Sequence, residues 1–263
     1  AAEYRRIVDQ HLKPFLGKVR VDRIKRSDAL KIHSDLAAKP YIANRTIAVL
    51  SAIMTFAERL EFRNQQSNPC RGVERFKEKK RKRPLTPSEL ERLWAYLETP
   101  SATANPFVIG AIRLLLLTGM RREEVLTLCR AEVDEQAGLV HLKDAKTGPR
   151  SVVLSSEALH TIQRLPKLED SPYVFPGLKK GHRLVNISKA WRAIRTELGF
   201  PEVRIHDLRH TVATMLARSA SLVVVRDALG HAEISTTSDY AHATRADIKS
   251  AIDEYANLVK SCR

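Results

Sequence analysis

Cysteine is scarce: Cys70, Cys129 and Cys262 are the three in 263 residues, an odd number set far apart with no Cys-x-x-Cys pair. That argues against a disulfide framework and a cysteine-built metal site. It suits a reducing compartment, so a cytoplasmic location is expected. Long hydrophobic runs are also missing. The longest apolar stretch, Val108 to Leu117, is interrupted by Arg113 and is too short to span a bilayer, so no membrane partner is expected. No signal peptide stands at the start. The chain opens Ala-Ala rather than Met, as expected where an N-terminal segment has been removed. Acidic residues are in deficit, with 30 Asp+Glu against 45 Lys+Arg and a formal charge of +15. Such a surplus favours a polyanionic partner such as nucleic acid; a merely solvated basic surface is the alternative. Neither an internal repeat nor a low-complexity segment is evident.

The length accommodates one large or two modest domains, and two are expected. Helices are predicted at Glu3 to Leu16, at Asp28 to Ala38 behind a Ser27 cap, and at Arg45 to Leu60 behind an Asn44 cap. The third carries an apolar stripe of Ile47, Leu50, Ile53, Met54, Ala57 and Leu60, and Pro40 is read as closing the second. With no strand pattern among them, residues 1–76 read as a small all-α domain. Asn68-Pro69 and the run Lys77-Glu-Lys-Lys-Arg-Lys-Arg83 mark its boundary, and 77–84 is read as a basic linker. Lys77, Lys79, Lys80, Arg81, Lys82 and Arg83 are placed to lie across a phosphate backbone.

Residues 85–263 form the second domain. Thr86-Pro-Ser-Glu89 is a capping box with proline at the first helical position. Pro106 to Thr118 is a buried helix closed by Gly119, followed by another from Arg121. Leu139 to Leu142 and Arg150 to Leu154 read as an antiparallel hairpin, with Lys146 in its turn. Tyr173 to Gly177 and a helix from Ser188 to Leu198 lead to a helix at Ile205 to Ser219. Its first turn carries His206 and Arg209, three apart on one face, so both can address one anion. Leu222 to Leu229 is a helix closed by Gly230, with His231 just beyond. Ser235 and Thr236 offer a cap for a short helix bearing Tyr240. A last helix, at about 245–260, has Ile248, Ala251, Ile252, Tyr255, Leu258 and Val259 on one side.

His206-Asp-Leu-Arg209-His, Leu229-Gly-His231 and Tyr240 nine residues further on resemble the second conserved box of the tyrosine recombinases, the family of phage integrases. Leu117-Thr-Gly-Met-Arg121-Arg-Glu-Glu124 resembles the family's first box, and Lys146 its hairpin lysine. Taken alone, Arg121 and Glu124 also suit an ordinary surface pair, and Lys146 an ordinary turn residue. The resemblance covers the second domain strongly and the first only by length, helicity and position. It implies a mostly α fold with a small antiparallel sheet: a SAM-like helical core-binding domain, then an α+β catalytic domain. The arm-binding domain that many phage-type integrases carry is not evident.

Cutting a phosphodiester without water needs a nucleophile, neutralisation of the phosphoryl oxygens and a proton for the leaving alcohol. By resemblance Tyr240 attacks phosphorus, while Arg121 and Arg209 hold the nonbridging oxygens with donors that stay charged at any working pH. His206 and His231 add hydrogen bonds, and His206 also helps remove the tyrosine proton. Lys146 protonates the departing 5′ oxygen. Glu124 holds the basic residues in place. The expected products are a 3′-phosphotyrosine and a free 5′ hydroxyl. Because the covalent link conserves bond energy, no cofactor and no metal are expected. His206 and His210 stand at a zinc-like spacing, without an evident third ligand.

The expected partner is double-stranded DNA at specific recombination sites. A tetramer assembled through the C-terminal helix and possible DNA-bending accessory proteins complete the implied system, as part of a mobile element. Two other functions remain open: a topoisomerase of type IB character, and a noncatalytic DNA-binding regulator.

Overall fold

The computed structural model describes residues 2–78, 83–101, 104–143 and 148–230. The chain separates into two compact units, Ala1–Arg81 and Lys82–Arg263.

The first unit is all helical. α1 (Ala2–Ile7) runs through a π turn (Val8–Leu12) into α2 (Lys13–Leu16), and α3 (Arg26–Asp35) and α4 (Pro40–Arg59) complete it. Ile7, Leu12, Ile24, Ile32, Ile47, Leu50 and Met54 form the core. Two helix starts differ from the sequence reading. α3 begins at Arg26, inside which Ser27 is an ordinary second residue; Lys25 is the cap, and its N–H is taken by the Asp28 carboxylate at 2.8 Å. α4 begins at Pro40, which opens this helix rather than ending the previous one, because a proline at the first position lacks only an N–H that would be unpaired there. Asn44 therefore lies within α4, buried. Its Oδ1 accepts from the Phe76 N–H at 3.0 Å and contacts His33 Nε2 at 3.1 Å, and its Nδ2 donates to Phe76 O and Glu78 Oε1. Ile53 and Leu60, assigned to the apolar stripe, are exposed. His33 stacks on Phe76 with ring centroids 4.0 Å apart. Glu78 is thus bound into the first unit with Phe76, two residues beyond the expected boundary at residue 76.

In the second unit α5 (Pro87–Glu98) starts as predicted. Thr86 Oγ1 accepts from Glu89 N, and Glu89 Oε2 accepts from Thr86 N at 2.8 Å. α6 (Pro106–Thr118) is the central helix, with Ile112, Leu114 and Leu115 almost wholly buried. Each such side chain contributes about 1.5–3 kcal/mol of transfer free energy. Arg113, the one charge on it, donates to Glu157 at 2.7 Å and lies over Trp94. Gly119 ends α6 at φ +64°, a conformation that carries little penalty for glycine alone. α7 (Arg122–Thr127) follows, then a sheet of β1 (Val133–Asp134), β2 (Leu139–Leu142) and β3 (Arg150–Val153), antiparallel in that order. The hairpin of β2 and β3 matches the sequence reading; β1 was not foreseen. α8 (Ser156–Gln163) packs against α6, and α9 (Ser188–Glu197) adds Trp191 and Ile194 to the core that holds Phe175. α10 (Asp207–Ser219) lies against α6, and Thr211 Oγ1 on it accepts the Leu85 N–H at 2.9 Å. α11 (Leu222–Leu229) is closed by Gly230 at φ +65°.

Arg83, expected in the linker, is held in this second unit. Its guanidinium reaches Glu89 at 2.6 Å and 2.9 Å and Glu202 at 2.6 Å, so it is committed to two carboxylates rather than presented to a phosphate. Among the described residues no helix is long and apolar enough to cross a membrane.

Candidate active site

Gly119 turns the chain out of α6 and delivers Arg121 to the cap position of α7. Glu124, three residues on, closes back on it twice. One oxygen accepts from the Arg121 N–H at 2.8 Å, the other from Arg121 Nη1 at 2.8 Å. Glu124 is buried, and it also accepts from Arg150 Nη2 at 3.0 Å. Burial alone would raise its carboxyl pKa. The Arg121 N–H and guanidinium, with the charge of Arg150, outweigh that and hold it below the usual range. Glu124 is therefore an anion that fixes Arg121, and Arg121 extends to within 3.5 Å of Gly230 O.

His206 caps α10, and Arg209 stands in its first turn. Arg209 is 5% exposed. Its Nη1 donates to Gly119 O at 2.6 Å and its Nη2 to Leu229 O at 2.8 Å. Both carbonyls sit at helix C-termini, where oxygens lack intrahelical partners and carry the negative end of the helix dipole. One guanidinium so ties the ends of α6 and α11 to the start of α10. The two bonds use two of its five donors. The His206 ring makes an edge-on contact with His210, centroids 5.0 Å apart. Desolvation first, then the positive charge of Arg209, lower its pKa, Asp207 opposing, so the neutral imidazole is favoured near neutrality. A neutral imidazole can accept a proton.

Arg121, Glu124 and His206 line one open cleft, together with Arg122, Lys143, Tyr173 and Arg183. Arg209 lies one helical turn into α10 from His206. Of the predicted site, these four residues lie within the described structure. Lys146, His231 and Tyr240 fall outside the described residues, as do Lys79, Lys80, Arg81, Lys82 and the C-terminal helix at 245–260. Lys77 is exposed on the first unit, and Arg83 is held by Glu89 and Glu202. Among the described residues no three His, Cys, Asp or Glu side chains gather to hold a metal ion.

Sequence reasoning missed Arg150. In the sequence it stands only as the first residue of a strand, yet its guanidinium is buried beside Glu124. The available signal was slight: a charge opening the apolar Val-Val-Leu segment, directly after Gly148-Pro149.

The phage integrase family model matches residues 83–247, more than half of the chain. A tyrosine recombinase XerC of Erythrobacter litoralis is 34% identical over 180 residues, which is 65% of this chain and 58% of that relative. The chain thus spans less than two thirds of that relative's length. A tyrosine recombinase XerA of Pyrococcus furiosus is 27% identical over 242 residues, 89% of this chain and 82% of its own. Among solved structures, a lambda integrase tetramer bound to a Holliday junction superposes with a TM-score of 0.73 at 16% identity, covering 92% of this chain and 71% of that one. The fold is therefore that of the integrases, and this chain belongs to the phage integrase family, whose relatives named here are tyrosine recombinases.

Proposed function

We propose that this chain is a site-specific DNA recombinase that breaks and rejoins strands through a 3′-phosphotyrosine on Tyr240. What most supports the reading is the convergence of Arg121, Glu124 and His206 from separate stretches of sequence around one cleft, with Arg209 buried behind it and tied to the Gly119 and Leu229 carbonyls. A strong cation braced by a buried carboxylate beside a neutral imidazole suits a phosphoryl group that gains charge in the transition state. Arg121 and Arg209 stabilise the nonbridging oxygens. His206 accepts the Tyr240 proton, His231 adds a hydrogen bond, and Lys146 protonates the 5′ oxygen as it leaves. Attack by the 5′ hydroxyl of a second strand then expels the tyrosine and reseals the backbone.

The partner is double-stranded DNA at specific sites. Residues 1–76 act as the core-binding domain, and Lys77, Lys79, Lys80, Arg81 and Lys82 run along the phosphates between the two domains. Four copies assemble on paired sites through the apolar side of the helix at 245–260, as a tetramer like that named for lambda integrase. Accessory DNA-bending proteins assist, and the setting is the cytoplasm of the host of a mobile element.

The test is a supercoiled plasmid carrying two direct copies of the DNA that flanks the native gene. Two product circles of defined length are expected. Relaxation without new lengths would leave a topoisomerase, and binding with neither outcome a regulator.

A further inference from the structure

Arg150 has no part in the phosphoryl transfer outlined above, yet its guanidinium is largely buried against Glu124. Its side chain is 12% exposed, and Nη2 donates to Glu124 Oε2 at 3.0 Å, the same oxygen that accepts the Arg121 N–H. Its other side rests on Gly230. A methyl group placed there would stand 2.6 Å from Cζ, Nε and Nη1 of Arg150 alike. Equal distances to three atoms of one plane mean that the flat face of the guanidinium covers the glycine Cα. Nε and Nη1 are themselves buried, without a hydrogen-bond partner among the described residues.

Two buried donors without a protein partner cost roughly 1–3 kcal/mol each, so the arrangement is not what stability alone would select. An apolar side chain would fill the space at lower cost. What a planar cation adds is a thin slab, charged at its edge and flat on its face. The edge holds Glu124, which holds Arg121. The face meets Gly230, which ends α11 and immediately precedes His231.

We propose that Arg150 is a positioning residue for strand cleavage: a planar bracket that sets the Glu124–Arg121 pair and the Gly230 turn at a fixed separation, so that Arg121 Nη2 stays 3.5 Å from Gly230 O. This inference rests on the phosphotyrosine reading of the site. It also gives Gly230 a second reason to be glycine, since any Cβ would displace the guanidinium as well as strain the backbone.

The experiment uses the full chain with Arg150→Lys and Arg150→Gln, on a nicked suicide duplex carrying the native site. Equilibrium DNA binding and the single-turnover rate of covalent adduct formation are measured, on ordinary substrate and on one with sulfur at the 5′ bridging position. Both variants are expected to bind within about twofold of the parent and to cleave about ten- to a hundred-fold more slowly, as for other groups that orient a reacting centre. The same factor is expected on both substrates, because the bracket does not act on the leaving group. Should Arg150→Gln melt far below the parent, Arg150→Lys keeps the charge beside Glu124 and carries the test. A rate within about twofold of the parent, a loss of rate matched by a loss of affinity, or full rescue by sulfur overturns the proposal. If the parent itself forms no adduct, it is the phosphotyrosine reading that fails, and the bracket with it.

Discussion

Arg121 and Arg209 reach consecutive carbonyls of one turn: Arg121 Nη2 lies 3.5 Å from Gly230 O, and Arg209 Nη2 lies 2.8 Å from Leu229 O. Arg209 also donates to Gly119 O at 2.6 Å, two residues before Arg121. The two guanidinium groups are thus registered against each other through backbone that neither owns. A lysine at 209 has a single compact head group that cannot span both carbonyls. Arg209→Lys is expected to slow adduct formation by about two orders of magnitude or more and to lower stability by about 1–3 kcal/mol. Arg121→Lys is expected to impair cleavage comparably with a smaller loss of stability, because its side chain is a quarter exposed. Single-turnover cleavage and urea denaturation separate the two effects, and near-normal cleavage would remove that arginine from the site.

The Arg83–Glu89 pair makes a prediction about acid. The bond from Arg83 is the largest cause holding the Glu89 carboxyl at about 2; burial opposes it, and the Thr86 N–H and hydroxyl assist. Its folded pKa lies below the ordinary glutamate value of 4.5, so its stabilisation is complete above that value and disappears as pH falls toward 2. Glu89→Gln is therefore expected to be less stable than the parent by on the order of 2 kcal/mol near neutrality, with the gap closing between about pH 4.5 and 2. Denaturant melts of both proteins across that range check it. A gap that stays constant would show that the carboxylate charge contributes nothing.

Lys146→Ala should cleave ordinary DNA poorly and recover on the 5′ bridging sulfur substrate, whose leaving group needs no proton. An equal defect on both substrates would exclude the general acid. The contrast with Arg150, where the defect is expected on both, makes the same pair of substrates diagnostic for each residue.

Neutralising Lys77, Lys79, Lys80, Arg81 and Lys82 together is expected to weaken binding to every sequence. Each lost phosphate contact lowers the slope of log affinity against log salt by about one. Arg83 is left out because Glu89 and Glu202 occupy it. An unchanged slope would make the run a solvated connection only.

What was legible in the sequence was local. The Thr86–Glu89 box and the glycine ends at Gly119 and Gly230 each involve residues a few positions apart, and all three are present in the structure. The Arg121–Glu124 pair is local too, and its geometry follows from one turn of α7. What was not legible depends on distant partners. Asn44 has the residue type of a helix cap, but Phe76, 32 positions away, and His33 engage its amide inside α4. Arg83 reads as one more linker charge until Glu202, 119 positions on, comes beside it. Arg150 is 26 positions from Glu124 and far from Gly230, so no periodicity could announce it. β1 is two residues long and pairs only with the end of β2, too little to leave an alternating pattern.

The central claim is that Tyr240 becomes covalently joined to the 3′ end of a cut strand. A suicide duplex bearing the native site, incubated with the protein, digested with protease and analysed by mass spectrometry, addresses it directly. The account predicts a DNA-linked peptide containing Tyr240. It predicts no adduct from Tyr240→Phe at unchanged DNA affinity, since only the hydroxyl is lost. An adduct formed by Tyr240→Phe, or one mapped to any other residue, would contradict the account.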